Sequence, residues 1–147
     1  MVDLTKILPH KPPMILIDDV VKVDLEHNSL ISKFEVYPKK LFFEVGKGIN
    51  SLVGIEFMAQ TIGCYAFYKR GEEKPSPGLL LGTRLYNNKV EYFEENETYT
   101  VKVNEVFDDG AIVAFDCLIY DNKNNEIASA TINAYQGKNI EEVLKNE

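Results

Sequence analysis

Residues 50–71, NSLVGIEFMAQTIGCYAFYKRG, limit what this chain can fold into more than any other stretch. Asn50 and Ser51 are residue types that accept a hydrogen bond from an orphan amide of a first helical turn. Lys69 and Arg70, followed by Gly71, suit a cationic last turn and a glycine stop. From Leu52 to Tyr68 the residues between are apolar nearly all round. A helix apolar on every side either spans a membrane or is wrapped by protein on every side. About 20 residues reach about 30 Å, so length alone does not decide between the two. Glu56, Gln60 and Thr61 interrupt the run, and the flanks on both sides have strand character. The expectation is a buried helix wrapped by a sheet.

Within that helix Leu52, Glu56 and Gln60 are spaced i, i+4, i+8 and share a face. An isolated buried carboxylate is costly, so such a group finds partners or keeps its proton. A carboxyl that keeps its proton near neutrality is what a general acid requires. The other reading of the same spacing is a Glu56 at the helix surface, or one paired with a lysine or arginine of a strand.

The chain has 147 residues, one domain's worth, and we expect residues 1–147 to form a single domain. Its net charge of −7 argues against a nucleic-acid surface and against anionic lipid. Cys64 and Cys117 lie in apolar surroundings without metal-ligand spacing, which fits reduced core residues and a cytoplasmic protein. The opening MVDLTKILPH holds no long apolar run, so no signal peptide is expected.

Residues 4–8 have the pattern of a short amphipathic turn that ends at Pro9. LPHKPPM, residues 8–14, places three prolines among seven residues and forms a stiff, non-helical arm carrying His10. Such an arm is a sensible place to hold an imidazole in one orientation. The alternative is a histidine in an ordinary N-terminal turn, and position alone favours it. Residues 14–24 and 29–36 are predicted strands, joined by a turn holding His27, which we expect to be exposed and without a role. Residues 37–49 are predicted irregular, with Leu41, Phe42 and Phe43 docking on the core. Residues 72–78 are a polar loop. Residues 79–90, 98–107, 111–120 and 126–136 are predicted strands, with a bulge or close approach at Gly82 and a hairpin turn at Asp109-Gly110. Residues 139–147 form a short polar helix or a frayed tail.

Two strands, one long apolar helix and a run of antiparallel strands describe an α+β chain of the hotdog kind, an antiparallel sheet wrapped around a central helix. One helix face and a sheet edge stay uncovered in that arrangement, so at least a homodimer is expected.

Three stretches resemble a known family. LPHKPPMILIDDV (residues 8–20), GIEFMAQTIG (residues 54–63) and LLLGTRLY (residues 79–86) are similar to the beta-hydroxyacyl-acyl-carrier-protein dehydratases of fatty-acid synthesis. They are closest to the variant associated with aryl polyene pathways. In that family the catalytic carboxylate lies at the start of the helix, and Glu56 is the matching position. The main family's catalytic histidine belongs to a His-Phe-Pro-Gly segment. Here that region reads LFFEVGKGIN, with its matching position near Phe42 and no histidine. The resemblance therefore leaves His10 as the base of this chain.

It implies dehydration of a 3-hydroxyacyl thioester on acyl carrier protein to the trans-2-enoyl thioester, without metal or other cofactor. His10 would take the C2 proton and a buried, protonated Glu56 would protonate the leaving hydroxyl. Amides at the helix start, around Ser51 and Leu52, would receive the thioester oxygen's developing charge. Gln60, Phe42, Phe43 and Met58 are the further substrate-binding candidates. In this fold the two catalytic groups often come from different subunits. Lys39, Lys40, Lys47, Lys69 and Arg70 are candidate charges for docking acidic carrier protein, and Arg84 is expected to be a surface charge. Two alternatives stay open: a hotdog thioesterase in which Glu56 activates water, and a non-catalytic dehydratase-like subunit that binds carrier protein.

Overall fold

The computed structural model describes residues 1–71 and 81–135. The predicted loop at residues 72–78, the first residues of the strand expected from position 79, the last residue of the strand expected to reach position 136 and the predicted tail at residues 139–147 lie outside the described residues, as does the side chain of Arg84.

The elements in chain order are β1 (Asp19–Asp24), β2 (Ser29–Glu35), β3 (Phe43–Glu44), β4 (Gly48–Asn50), α1 (Gly54–Lys69), β5 (Leu81–Asn88), β6 (Tyr92–Phe93), β7 (Thr98–Asp108), β8 (Ile112–Tyr120) and β9 (Glu126–Tyr135). Six strands form one antiparallel sheet in the order β1-β2-β7-β8-β9-β5, and β3, β4 and β6 form a small second one. Alternation sets which face of the large sheet meets the helix. Tyr99, Val101 and Val103 of β7 are buried, as are Val113, Phe115, Cys117 and Ile119 of β8, while the residues between them are more open. That face curls around α1, which is the α+β hotdog arrangement expected from the element order.

The helix meets the sheet through aromatic rings. Phe57 stacks on Phe34 of β2 with centroids 3.7 Å apart, and Phe93 and Tyr99 close the cluster edge-on or offset. A polar pair sits inside the same contact. Thr61 Oγ1 donates to the Phe57 carbonyl at 2.7 Å, so the Ser32 hydroxyl, also 2.7 Å away, donates to Thr61. At the helix start the chain comes so close to the sheet that a Cβ at Gly54 would collide with the Tyr86 hydroxyl, which donates to the Ser51 carbonyl.

Several boundaries differ from the sequence reading. The first long strand begins at Asp19 rather than Met14. Residues 14–18 belong instead to the arm, because a buried side chain takes the backbone N–H groups of Leu16 and Ile17 that a ladder would have used. The helix starts with a 3₁₀ turn, Ser51–Val53, and Asn50 alone is its cap. Residues 37–49, expected to be irregular, contain β3 and the first two residues of β4, and the sequence pattern predicts no strand at β6. Strands of two or three residues are too short to show a period. The irregularity expected at Gly82 falls between Thr83 and Leu85, since Gly82 itself pairs with Asn133. Cys64 and Cys117 are buried free thiols, and burial pushes both up to about 12.

Candidate active site

The segment before β1 is fastened to the helix and to β2. Leu8 is buried against Gly63, where an added Cβ would lie 2.9 Å from Leu8 Cδ2. Farther along, Asp18 Oδ2 accepts from the Glu35 amide at 2.6 Å and from Lys40 Nζ at 2.6 Å. Lys40 is enclosed over the rings of Tyr37 and Phe34. Burial pushes its ammonium below the ordinary lysine value, and the bond to Asp18 opposes that shift. Prolines at positions 9, 12 and 13 limit the backbone between these anchors.

Held in this way, His10 comes to the first turn and a half of α1. His10 Nε2 lies 3.6 Å from Glu56 Oε1. The Nδ1 atom of His10 is enclosed and has no hydrogen-bond partner among the described residues, which leaves Nε2 as the nitrogen that meets the carboxyl. The two groups come together within one chain. A base and an acid that reach one substrate, with or without a bridging water, are the minimum for acid–base chemistry on a carbon acid.

The expectation of a dry carboxyl is corrected. The Glu56 side chain is 41% exposed and that of His10 is 32% exposed. The cause is the stripe on which Glu56 sits. Leu52, Ile55, Glu56, Ala59 and Gly63 follow at three- and four-residue spacing, and none of the five is fully buried in the single chain. Leu52 at the head of the stripe is 66% exposed.

The other substrate-binding candidates divide. Phe42 is 49% exposed, in the left-handed region at φ 71°, and Phe43 packs partly against the core beside it. Phe43 belongs to β3 of the small sheet and Phe42 directly precedes it. Met58 and the Ser51 side chain are enclosed, so neither offers surface to a ligand in this chain. The expected amide pair at the helix start is also corrected: Ser51 N–H donates to the Glu91 carbonyl at 2.9 Å and Leu52 N–H donates to Asn50 Oδ1 at 2.9 Å. The cap and the β-ladder side of the turn consume both donors. Gln60 is fully buried and hydrogen-bonded to the arm and to Glu56, so it faces protein rather than a ligand.

Of the lysines considered for docking, Lys40 is buried against Asp18 and Lys69 is held by Glu105 and Asp108 at 2.7 and 3.1 Å. Arg70 turns back to the Ala66 carbonyl. Lys39 and Lys47 stay exposed, Lys47 over the Tyr92 ring. His27 is exposed as expected and is paired with Asp24 at 3.0 Å. Among the described residues no cluster of His, Cys, Asp and Glu is arranged to hold a metal ion, and no helix is long and apolar enough to cross a membrane.

Comparison with known proteins gives a consistent picture. Residues 2–145 match the ApeP-like family, described as ApeP dehydratase. The chain is similar to a chain of the dehydratase heterocomplex ApeI:P from Xenorhabdus doucetiae, at TM-score 0.84 and 23% identity over 98% of each chain. It is also similar to smu.793 from Streptococcus mutans bound to acetyl-CoA, at TM-score 0.63 and 15% identity, covering 87% of this chain and 94% of that one. A third similar structure is the PaaI protein of E. coli from the phenylacetic acid degradation operon, at TM-score 0.59 and 11% identity over 82% and 78%. These likenesses show the fold. No curated protein matches the chain in sequence.

Proposed function

The chain belongs to the ApeP-like dehydratase family, and from that premise we propose that it removes water from a 3-hydroxyacyl thioester on acyl carrier protein, leaving the trans-2-enoyl thioester. The observation that carries this reading is the 3.6 Å approach of His10 Nε2 to Glu56 Oε1.

The base is His10, since imidazole is the side-chain type best suited to taking and giving a proton near neutrality. Its Nε2 takes the C2 proton. Glu56 supplies a proton to the departing C3 hydroxyl. Glu56 Oε1 already accepts from Gln60 at 3.2 Å, which leaves Oε2 as the oxygen that carries that proton. Covering the pair favours the neutral acid and strengthens both interactions. We assign the cover to a second copy of the chain laid along the Leu52–Ile55–Ala59 stripe, together with the bound acyl group. Phe42, Phe43 and Leu52 line the apolar path for that group. Lys39 and Lys47, exposed and without an ion pair among the described residues, can attract an acidic carrier protein.

The test is incubation with a 3-hydroxyacyl thioester of acyl carrier protein while following enoyl formation and free thiol separately. Enoyl product without thiol supports the dehydratase. Thiol without enoyl product makes the protein a thioesterase. Binding without turnover of either kind makes it a non-catalytic subunit.

A further inference from the structure

Gln60 hydrogen-bonds both the histidine-bearing arm and the carboxyl of Glu56. Its Oε1 accepts from the Leu16 amide at 2.8 Å and from the Ile17 amide at 3.4 Å. Its Nε2 donates to the Met14 carbonyl at 2.7 Å and to Glu56 Oε1 at 3.2 Å. An amide has one oxygen with two acceptor positions and one nitrogen with two protons, so all four capacities are used. The orientation is fixed by the partners, because turning the amide over would set its protons against two backbone N–H groups. Neither a carboxylate, which has no proton to give, nor a carboxylic acid, which has one, can make the same four bonds. The group is fully buried.

We propose that Gln60 is a positioning residue of this site: it bolts residues 14–17 of the arm to the helix, and with the same nitrogen it sets the direction of Glu56, so that one amide ties the two elements carrying His10 and Glu56 to each other. The role rests on the reading of His10 and Glu56 as the reacting pair. The arm between His10 and Met14 is short and rich in proline, so a backbone fixed at Met14, Leu16 and Ile17 fixes the imidazole also. A displacement of about 1 Å between reacting groups is enough to cost about a hundredfold in rate.

The test compares Gln60→Met, which keeps length and removes every polar atom, with Gln60→Glu. For Gln60→Met we expect kcat for dehydration to fall about tenfold to a hundredfold with KM within about threefold. For Gln60→Glu we expect partial recovery toward acid pH, where the new carboxyl regains one donor, so its pH profile tilts away from that of the native protein. Native kcat in folded Gln60→Met overturns the proposal. So does a loss in Gln60→Glu with an unchanged pH profile, since a merely structural amide alters the folded fraction and not the profile.

A second measurement does not depend on turnover. The chain has two histidines, so His10 ring signals are resolved by NMR, with His27→Gln as the assignment control. Glu56→Gln is expected to displace the His10 ring signals in the native background and to leave them in place in Gln60→Met, or in Gln60→Glu should the methionine variant not fold. Equal displacement in both backgrounds overturns the proposal. Absence of dehydration by the native protein overturns the function above, and the NMR comparison then decides the role of Gln60 alone.

Discussion

His10 Nε2 and Glu56 Oε1 lie 3.6 Å apart in one chain, the first on a proline-rich arm and the second on the central helix. Neither element has the other as a neighbour in sequence. Leu8 packed against Gly63 and the bonds of Gln60 bring them together.

Removing either member of the pair should stop the chemistry without unfolding the protein. Both side chains are partly exposed, so Glu56→Gln and His10→Asn are expected to change Tm by no more than about 2 °C, as for surface substitutions. Enoyl formation should fall about 10²- to 10⁴-fold in each, the range for loss of a general acid or base. Full activity in a folded Glu56→Gln protein would remove the proposed mechanism.

The helix start tolerates no extra methyl. Gly54→Ala drives a Cβ into the Tyr86 hydroxyl and to 3.2 Å from Phe93 and Ile119. We expect a cost of about 1–3 kcal/mol, the range for overpacked sites. Tyr86→Phe alone loses the bond to the Ser51 carbonyl, about 1 kcal/mol. Because it also removes the colliding atom, the two substitutions together should cost less than their sum. Additive denaturant midpoints would contradict this account of the contact.

The half-covered stripe on α1 predicts association. Analytical ultracentrifugation should find at least a dimer at micromolar concentration. Ala59→Arg, placed in the middle of the stripe, should yield a folded monomer with reduced dehydration. A native protein that sediments as a monomer, or an Ala59→Arg protein that still dimerises, would move the interface elsewhere.

Two turn carboxylates contribute to the acid limb of the stability curve. The Ile112 amide holds Asp109 below the ordinary 3.8, and the Asn125 amide does the same for Asp121. The folded values are the lower ones, so the unfolded chain binds more protons in this window and stability rises with pH. The contribution is complete above about 3.8 and is lost as pH falls through the lowered folded values. Urea midpoints at pH 6 and pH 3 should differ, and Asp109→Asn with Asp121→Asn should shrink the difference. An unchanged difference would place the acid sensitivity in other groups.

The long elements were legible from residue order because they are periodic. The apolar run after Asn50 admitted little except a wrapped helix, and the alternation in β7, β8 and β9 marked the face that wraps it. The resemblance in the LPH and GIEFMAQ segments pointed to the two residues that now face each other. Long-range partners carry no such signal. Nothing in the order of residues 14–18 says that their amides bind Gln60 instead of a strand, or that β4 and β6 pair through Ile49 and Phe93.

Burial of Glu56 shows the division most clearly. An apolar sequence around a carboxyl implies a dry site only if every side of the helix is covered, and how far each side is covered depends on what packs there. Composition along the helix determined that it must be sheltered and that one acid would be carried into the shelter. Packing decided which face the sheet takes, which face the arm takes and which stripe is left for another surface, since those choices depend on contacts between residues distant in the chain.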